Sequence, residues 1–181
     1  MDRRILKTRK AIYEAFDNLL AKYDYSKISI QDIIDEANVG RSTFYGHFET
    51  KDDLLSSRCK DLFEHIFNPD LNEEAHCFID SSSVKNKIVH ILTHLLEHKD
   101  LIKGILSSEG SVVFIKFFRT HFNLIDFKIS ENLKNIPESF IKNQISASFI
   151  EMLRYWIDDR FKESPEVLTD YYLSMLPAEI I

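Results

Sequence analysis

Residues 39–54, VGRSTFYGHFETKDDL, combine a cluster of aromatic side chains with many polar ones. The centre of this stretch, Phe44 to Phe48, holds three aromatic side chains and one histidine, between an Arg-Ser-Thr start and a Lys-Asp-Asp cluster. Buried segments rarely hold so many polar side chains, and most polar residue types prefer the surface. The mixture predicts a short helix with two faces, one packed against its own domain and the other turned outward.

The whole chain has the composition of a helical globular protein. Its 181 residues are 44% hydrophobic and 29% charged, which is enough apolar material for one core or two small ones. Only four glycines and four prolines interrupt it, and apolar residues recur at helical spacing without strand-like alternation. The fold class that follows is all-α.

Features missing from the sequence exclude other classes of protein. Cys59 and Cys77 lack the spacing of a zinc site or a disulfide framework, and no apolar run approaches the roughly 20 residues that cross a bilayer. The basic start, MDRRILKTRK, leads into an amphipathic pattern without a signal-peptide core. No nucleophile motif, phosphate-binding loop or pair of metal ligands is visible. We therefore expect a cytoplasmic protein that is no enzyme and uses no cofactor, metal or membrane.

Charge is distributed unevenly along the chain, although the formal net charge is −6. Residues 1–60 hold 11 Lys and Arg against 10 Asp and Glu, whereas residues 61–181 hold 12 against 19. A basic start on an acidic body indicates that only the first part meets a polyanion. A merely solvated charged face is the alternative interpretation.

The first part of the chain predicts helices separated by recognisable caps. Apolar residues at helical spacing predict a first helix over 3–23. Ser29 and Asp32 have the spacing of a capping box before a short second helix, and Asn38 suits the left-handed conformation that ends it. Another short helix over 41–47 follows a tight turn, and a longer helix follows the Lys-Asp-Asp cluster.

Two short helices joined by a tight turn predict a helix-turn-helix, whose second helix enters the major groove of DNA. Phe44 and Phe48 lie four residues apart, so they share a face and anchor this helix to its own domain. The remaining side chains carry groups that suit base edges and phosphate oxygens. They are Arg41, Ser42, Thr43, Tyr45 and His47. The alternative is that the aromatic run is only the core of a helical bundle.

The segments TRKAIYEAF and ISIQDIIDEANVGRSTFYGHFETKDDLL closely resemble the amino-terminal DNA-binding domain of the TetR family of bacterial transcriptional regulators, over roughly residues 5–58. The resemblance implies double-stranded operator DNA as the partner. It implies that the base-reading residues are Gln31, Arg41, Ser42 and Thr43. It implies that the phosphate contacts come from Ser29, Tyr45, His47 and Lys51.

The sequence departs from the family pattern at three positions. Asp24 and Asn38 stand where turn glycines are usual, and both residue types accept a positive φ better than most. Gly46 falls inside the predicted helix, where a glycine costs about 1 kcal/mol relative to alanine. Many relatives carry a bulky residue there that can touch DNA, so we expect one contact of the family to be missing.

A polar stretch over 68–83 is the clearest boundary, and the resemblance implies a second all-α domain beyond it. We expect a helix-turn-helix domain over 1–58 and a dimerisation and effector domain over 59–181. The helical patterns beyond the boundary cover 84–99, 100–108, 111–134, 138–163 and 165–176.

The last two predicted helices carry broad aromatic faces that can pair with a twofold mate as a four-helix bundle. Packing within the chain is the alternative use of these faces. A homodimer places two recognition helices on the half-sites of a pseudo-palindrome. The residues predicted at this interface are Phe149, Leu153, Trp156, Ile157, Leu168, Tyr172 and Met175.

Residues 111–127 carry more phenylalanines than a helix needs for packing, which favours either a core or the lining of a small-molecule pocket. The candidates for lining an effector pocket are Phe114, Phe117, Phe118 and Phe122.

A ridge of histidines, His90, His94 and His98, lies along one predicted helix. A metal site there, helped by His76 or Cys77, needs the imidazoles to converge on one ion. Three imidazoles along one helix do not easily do so, and we expect a solvated face or a pocket rim without a metal.

The expected function is that of a sequence-specific DNA-binding regulator, a repressor that a small-molecule effector releases from its operator. The alternative is a coregulator of the same fold whose second domain binds a partner protein. The sequence leaves open the operator, the effector and the sign of regulation.

Overall fold

The computed structural model of the protein describes residues 3–67, 83–106, 110–178 and 180. Within these ranges the chain forms nine α-helices, which confirms the all-α fold class. They are α1 (Arg3–Leu20), α2 (Ile30–Ala37), α3 (Arg41–Tyr45), α4 (Lys51–Phe67), α5 (Val84–Glu97), α6 (Lys99–Leu106), α7 (Ser111–Phe122), α8 (Glu138–Asp158) and α9 (Pro165–Met175).

The chain divides into two compact units. The first comprises Met1–Leu62 and Lys99–Phe114, and the second comprises Phe63–His98 and Ile115–Ile181. Residues 99–114 thus group with the amino-terminal helices, although they lie in the second domain that the sequence predicts. The domain boundary at residue 58 stays a prediction from the resemblance.

The first unit is built on one apolar face of α1, which buries Ile12, Phe16 and Leu19. α1 packs against both α2 and α6. At Gly104 on α6, an added Cβ would lie 2.7 Å from the Leu20 carbonyl oxygen. Only glycine permits such a close approach of the two helices.

Ion pairs join α1 to the first part of α4 in the same unit. The Arg58 guanidinium donates to both Asp17 carboxylate oxygens, at 2.8 and 3.2 Å. Arg9 donates to the Asp61 carboxylate at 3.1 Å and to the Ser57 hydroxyl at 2.7 Å. Planar guanidinium groups hold carboxylates in a defined geometry, so these pairs fix how α4 lies on α1.

The core of the second unit contains a cluster of aromatic rings. Phe149 lies 5.2 Å from Phe118, 4.6 Å from Phe122 and 5.1 Å from Tyr172, measured between ring centroids. Burial raises the pKa of the Tyr172 hydroxyl, which donates a 2.7 Å hydrogen bond to the Ile145 carbonyl. The cluster therefore fixes α9 against α8 through both ring contacts and one polar anchor.

Three helices end at least three residues earlier than the sequence predicts. α1 ends at Leu20 and not at residue 23, and α7 ends at Phe122 and not at residue 134. α8 ends at Asp158 and not at residue 163, because the Trp156 indole bonds to the Glu163 carbonyl at 2.9 Å. The chain turns back there through Arg160 and Phe161, both with positive φ.

Candidate nucleic-acid interface

The entry to the helix-turn-helix is anchored at a 3₁₀ turn, Tyr25–Lys27. The buried Tyr25 hydroxyl donates to the Asp52 carboxylate at the start of α4, and burial followed by this carboxylate raises the tyrosine pKa. The Lys51 ammonium donates to the carbonyls of Tyr25 and Ile28, at 2.7 Å each, and lies over the Tyr25 ring. Lys51 therefore holds the turn in place, and its predicted phosphate contact stays a prediction.

α2 begins with the capping box that the sequence predicts. The Ser29 hydroxyl accepts from the Asp32 amide at 3.2 Å, and the Asp32 carboxylate accepts from the Ser29 amide at 2.8 Å. The hydroxyl also donates to this carboxylate, and the two bonds from Ser29 lower the pKa of Asp32. The predicted phosphate ligand Ser29 is thus also the cap that starts the helix.

The turn between the two short helices depends on Asn38, whose φ of 50° and ψ of 48° lie in the left-handed region. This confirms the prediction that an asparagine ends α2 where a glycine is usual. Asp24 behaves differently, because its φ of −61° and ψ of 144° are extended. That position therefore needs no residue that tolerates a positive φ.

α3 has two faces, as the aromatic and polar mixture predicts. Phe44 is completely buried and Phe48 is 3% exposed. The Tyr45 ring, 49% exposed, meets Phe44 edge to face at 5.6 Å. His47 is half-buried beside Phe48. The other candidate DNA-reading side chains of this helix are exposed, namely Arg41, Ser42 and Thr43.

Gly46 does not lie inside the helix, and that expectation was wrong. α3 ends at Tyr45, and Gly46 is the residue that caps its end, with φ −71° and ψ −16°. An added Cβ would meet only the carbonyl oxygens of Ser42 and Thr43, at 3.3 and 3.4 Å. The cost of a mid-helix glycine therefore does not apply at this position.

Two of the predicted base-reading side chains are in direct contact. Nη2 of Arg41 on α3 donates to Oε1 of Gln31 on α2 at 2.7 Å. Nε2 of Gln31 in turn donates to Oδ1 of Asp35 at 2.8 Å. All three residues are exposed. Sequence reasoning missed Asp35, although its spacing of four residues from Gln31 on a helix was a usable signal.

The residues predicted at the dimer interface are mostly buried within the single chain. Phe149, Leu153, Trp156, Leu168 and Tyr172 are each at most 4% exposed. That burial favours packing within the chain, the alternative interpretation, for these five. Ile157 is half-buried, and Met175 is 83% exposed.

The predicted residues of the effector pocket are mostly buried. Phe114, Phe118 and Phe122 are at most 1% exposed, and Phe117 is half-buried. The Phe118 ring stacks on Phe122 at 4.9 Å and on Phe149 at 5.2 Å, measured between ring centroids. Their role in binding an effector stays a prediction.

Two histidines of the ridge form hydrogen bonds within the second unit, where the sequence predicts a solvated face or a pocket rim. His90 bonds to the Ile66 carbonyl at 3.0 Å, and His94 bonds to the Glu97 carboxylate at 2.9 Å. The His65 ring meets His94 edge to face. Within the described ranges no group of three or more His, Cys, Asp or Glu side chains is arranged to hold a metal ion. His76 and Cys77 lie outside those ranges, and His98 caps the end of α5.

None of the helices in the described part of the chain is long and apolar enough to cross a membrane.

Two family profiles match the chain in its two halves. Residues 12–57 match the bacterial regulatory proteins of the tetR family, and residues 82–177 match a transcriptional regulator C-terminal region. The first match includes α2 and α3 with all eight predicted DNA contacts. The matched proteins are regulators of transcription and not enzymes.

Solved structures and curated relatives agree with these matches. A TetR transcriptional regulator from Streptococcus agalactiae is 40% identical, with a TM-score of 0.75 and 96% of each chain covered. The HTH-type transcriptional regulator YxbF of Bacillus subtilis is 28% identical over 97% of this chain, which spans 46% of YxbF. The dhaKLM operon transcriptional activator DhaS of Lactococcus lactis is 28% identical, over 81% of this chain and 78% of DhaS.

Proposed function

This chain belongs to the TetR family of bacterial regulatory proteins, and we propose that it binds a pseudo-palindromic operator as a homodimer and represses transcription until a small-molecule effector releases it. A DNA-binding transcriptional regulator is what the family matches support directly. Such a regulator works in the cytoplasm, where the bacterial chromosome lies.

One observation carries the DNA-binding part of the proposal. Within the segment that matches the family, Phe44 on α3 and Phe48 just after the helix are buried. Arg41, Thr43 and Tyr45 on α3 are exposed. A guanidinium can bond to O6 and N7 of guanine, and a threonine methyl can touch the methyl of thymine. A phenol suits phosphate oxygens, which fix the position of the helix in the groove.

The homodimer rests on the outward side of the last two helices. Val167, Tyr171 and Met175 recur every four residues, so they form one stripe on α9, and they are 38%, 52% and 83% exposed. Tyr155 on α8 is 55% exposed. We therefore assign the dimer contact to an exposed set that we call the outer stripe, and the half-buried Ile157 stays a predicted contact. The outer stripe consists of Tyr155, Val167, Tyr171 and Met175. The buried residues of α8 and α9 pack within the chain's own core.

Release by an effector is a population shift between two states of the dimer. An effector that binds better to a dimer with wrongly spaced recognition helices lowers operator affinity by its differential affinity for the two states. Activation is the second candidate, because the relative DhaS is named as an activator of an operon. As an activator, this protein would make the same contacts with its operator but would increase transcription.

Selection of genomic fragments by the purified protein, followed by footprinting, tests the proposal. We expect recovery of a short palindromic site and protection of two half-sites one helical turn apart or a multiple of it. Transcription from a promoter that carries the site then gives the sign of regulation. Failure to enrich any sequence, with the protein folded, would refute the DNA-binding function.

A further inference from the structure

The hydrogen-bond chain from Asp35 through Gln31 to Arg41 links α2 to α3 on the surface that is expected to face DNA. We propose that Asp35 is a positioning residue for base reading, which orients Gln31 and Arg41 as one coupled reader of two neighbouring bases. The inference rests on the proposed function and adds a determinant of sequence specificity to it.

The hydrogen bonds from Asp35 and Arg41 fix which way the Gln31 amide points. Its oxygen accepts from Arg41 at 2.7 Å, and its nitrogen donates to Asp35 at 2.8 Å. A glutamine side chain on a surface otherwise rotates freely and can present either end of its amide. With both ends bonded to charged groups, one orientation is held.

These hydrogen bonds still leave Gln31 and Arg41 with free donors and acceptors that can bond to bases. The Gln31 amide keeps one hydrogen on its nitrogen and one lone pair on its oxygen, the pair that adenine requires. Arg41 uses one of its nitrogens toward Gln31, and its remaining N–H groups can reach the O6 and N7 of guanine. The coupled side chains therefore suit an adjacent guanine and adenine.

The position of Asp35 makes little sense as a stabilising feature. It lies in the last turn of α2, where the helix dipole disfavours a negative charge. A carboxylate beside a DNA-facing surface also repels phosphates and lowers affinity. Removing it should leave the fold intact and raise general affinity for DNA, so that any loss of base reading is separable from both effects.

Glu36 is a matched control. It is the next residue on the same helix, it is exposed, and it makes no hydrogen bond or ion pair with the described residues. Glu36→Ala removes the same charge without touching the chain of hydrogen bonds. Asp35→Asn removes the charge but keeps an oxygen that can accept from Gln31.

The experiment measures binding of fluorescent duplexes by the full chain. The duplexes carry the site that the wild-type protein selects from a random library, and single base-pair changes across one half-site. Discrimination is the ratio of dissociation constants for changed and unchanged duplexes. Thermal unfolding of each variant confirms that it is folded.

We expect Asp35→Ala to lose about fivefold or more of the discrimination at two neighbouring positions. Its affinity for unrelated DNA should rise about twofold, as should that of Glu36→Ala. Asp35→Asn and Glu36→Ala should keep the wild-type discrimination.

Unchanged or improved discrimination in Asp35→Ala would overturn the inference while leaving the proposed function in place. Equal loss in Asp35→Ala and Glu36→Ala would also overturn it, because charge alone would then explain the effect. A wild-type protein that selects no sequence would overturn the inference and the proposed function together.

Discussion

The helix-turn-helix and the pair α8 and α9 both carry aromatic residues at helical spacing, yet the sequence locates the outward face only in the first. On α3 and just after it, the predicted anchors Phe44 and Phe48 are buried, and the predicted base-reading side chains are exposed. On α8 and α9 the residues predicted to meet a partner lie mostly in the chain's own core. Periodicity finds the most apolar face, and that face goes to the core first. A dimer partner would contact the faces of α8 and α9 that remain exposed.

The largest effect on the free energy of unfolding is expected in a comparison of Phe44→Ala with Tyr45→Ala. Phe44 is completely buried, so its truncation should lower the free energy of unfolding by about 3–5 kcal/mol. Tyr45→Ala should cost far less stability, because about half of its side chain is already exposed. Chemical unfolding of both variants measures the difference. Equal losses would mean that α3 has no free outward face.

The second test concerns the outer stripe. Replacing both Tyr171 and Met175 by glutamate places like charges together across a twofold interface, and the dimer dissociation constant should rise about a hundredfold or more. The monomer should stay folded, because both side chains are exposed. Sedimentation over a range of concentrations measures the change.

Phe149→Ala is the matched core variant for that test. Its ring is completely buried, so it should lower the unfolding free energy without a specific loss of dimer. Unaltered association of the Tyr171 and Met175 double variant would show that the outer stripe is not the dimer interface.

A third test compares two glycines. Gly104→Ala forces a Cβ within 2.7 Å of the Leu20 carbonyl, and overpacking of this kind should cost about 1–3 kcal/mol. Gly46→Ala should be neutral or stabilising by up to about 1 kcal/mol, because its backbone is helical and the unfolded chain loses freedom. Thermal unfolding measures the stability of the two variants. A greater loss in Gly46→Ala than in Gly104→Ala would show that α1 and α6 do not approach so closely at Gly104.

The smallest expected effect is a pH dependence of the second unit. Burial and the neighbouring His94 lower the pKa of His90 below its unfolded value near 6.5. The neutral imidazole is therefore favoured in the fold, and its contribution to stability is present above that value and is lost as the pH falls. Unfolding free energies between about pH 7.5 and pH 5.5 should decline less in His90→Gln than in the wild type. An identical decline would exclude His90 as a contributor.

The parts of the fold that the sequence predicts well are those set by local chemistry. The Ser29 cap, the left-handed Asn38 and the burial of Phe44 depend on residues a few positions apart. The parts that it misses depend on distant residues. The need for Gly104 comes from Leu20, and the early end of α8 comes from the bond between Trp156 and Glu163.

The candidate site divides in the same way. The exposure of Arg41 and Tyr45 follows from helical spacing, so the sequence could place them outward. The second role of Lys51 depends on carbonyls more than twenty residues earlier in the chain. No spacing rule reports such a contact, and a phosphate-binding role and an anchoring role look alike in the sequence.

Binding by Arg41→Ala tests whether the outward face of α3 reads DNA sequence. Affinity for the selected operator and for unrelated DNA is measured across a range of salt concentrations, since phosphate contacts alone give a steep salt dependence. We expect Arg41→Ala to lose about 5-fold to 100-fold in operator affinity, while its binding to unrelated DNA changes much less. Equal affinity of Arg41→Ala and the wild type for the operator, in a folded protein, would contradict sequence reading by α3.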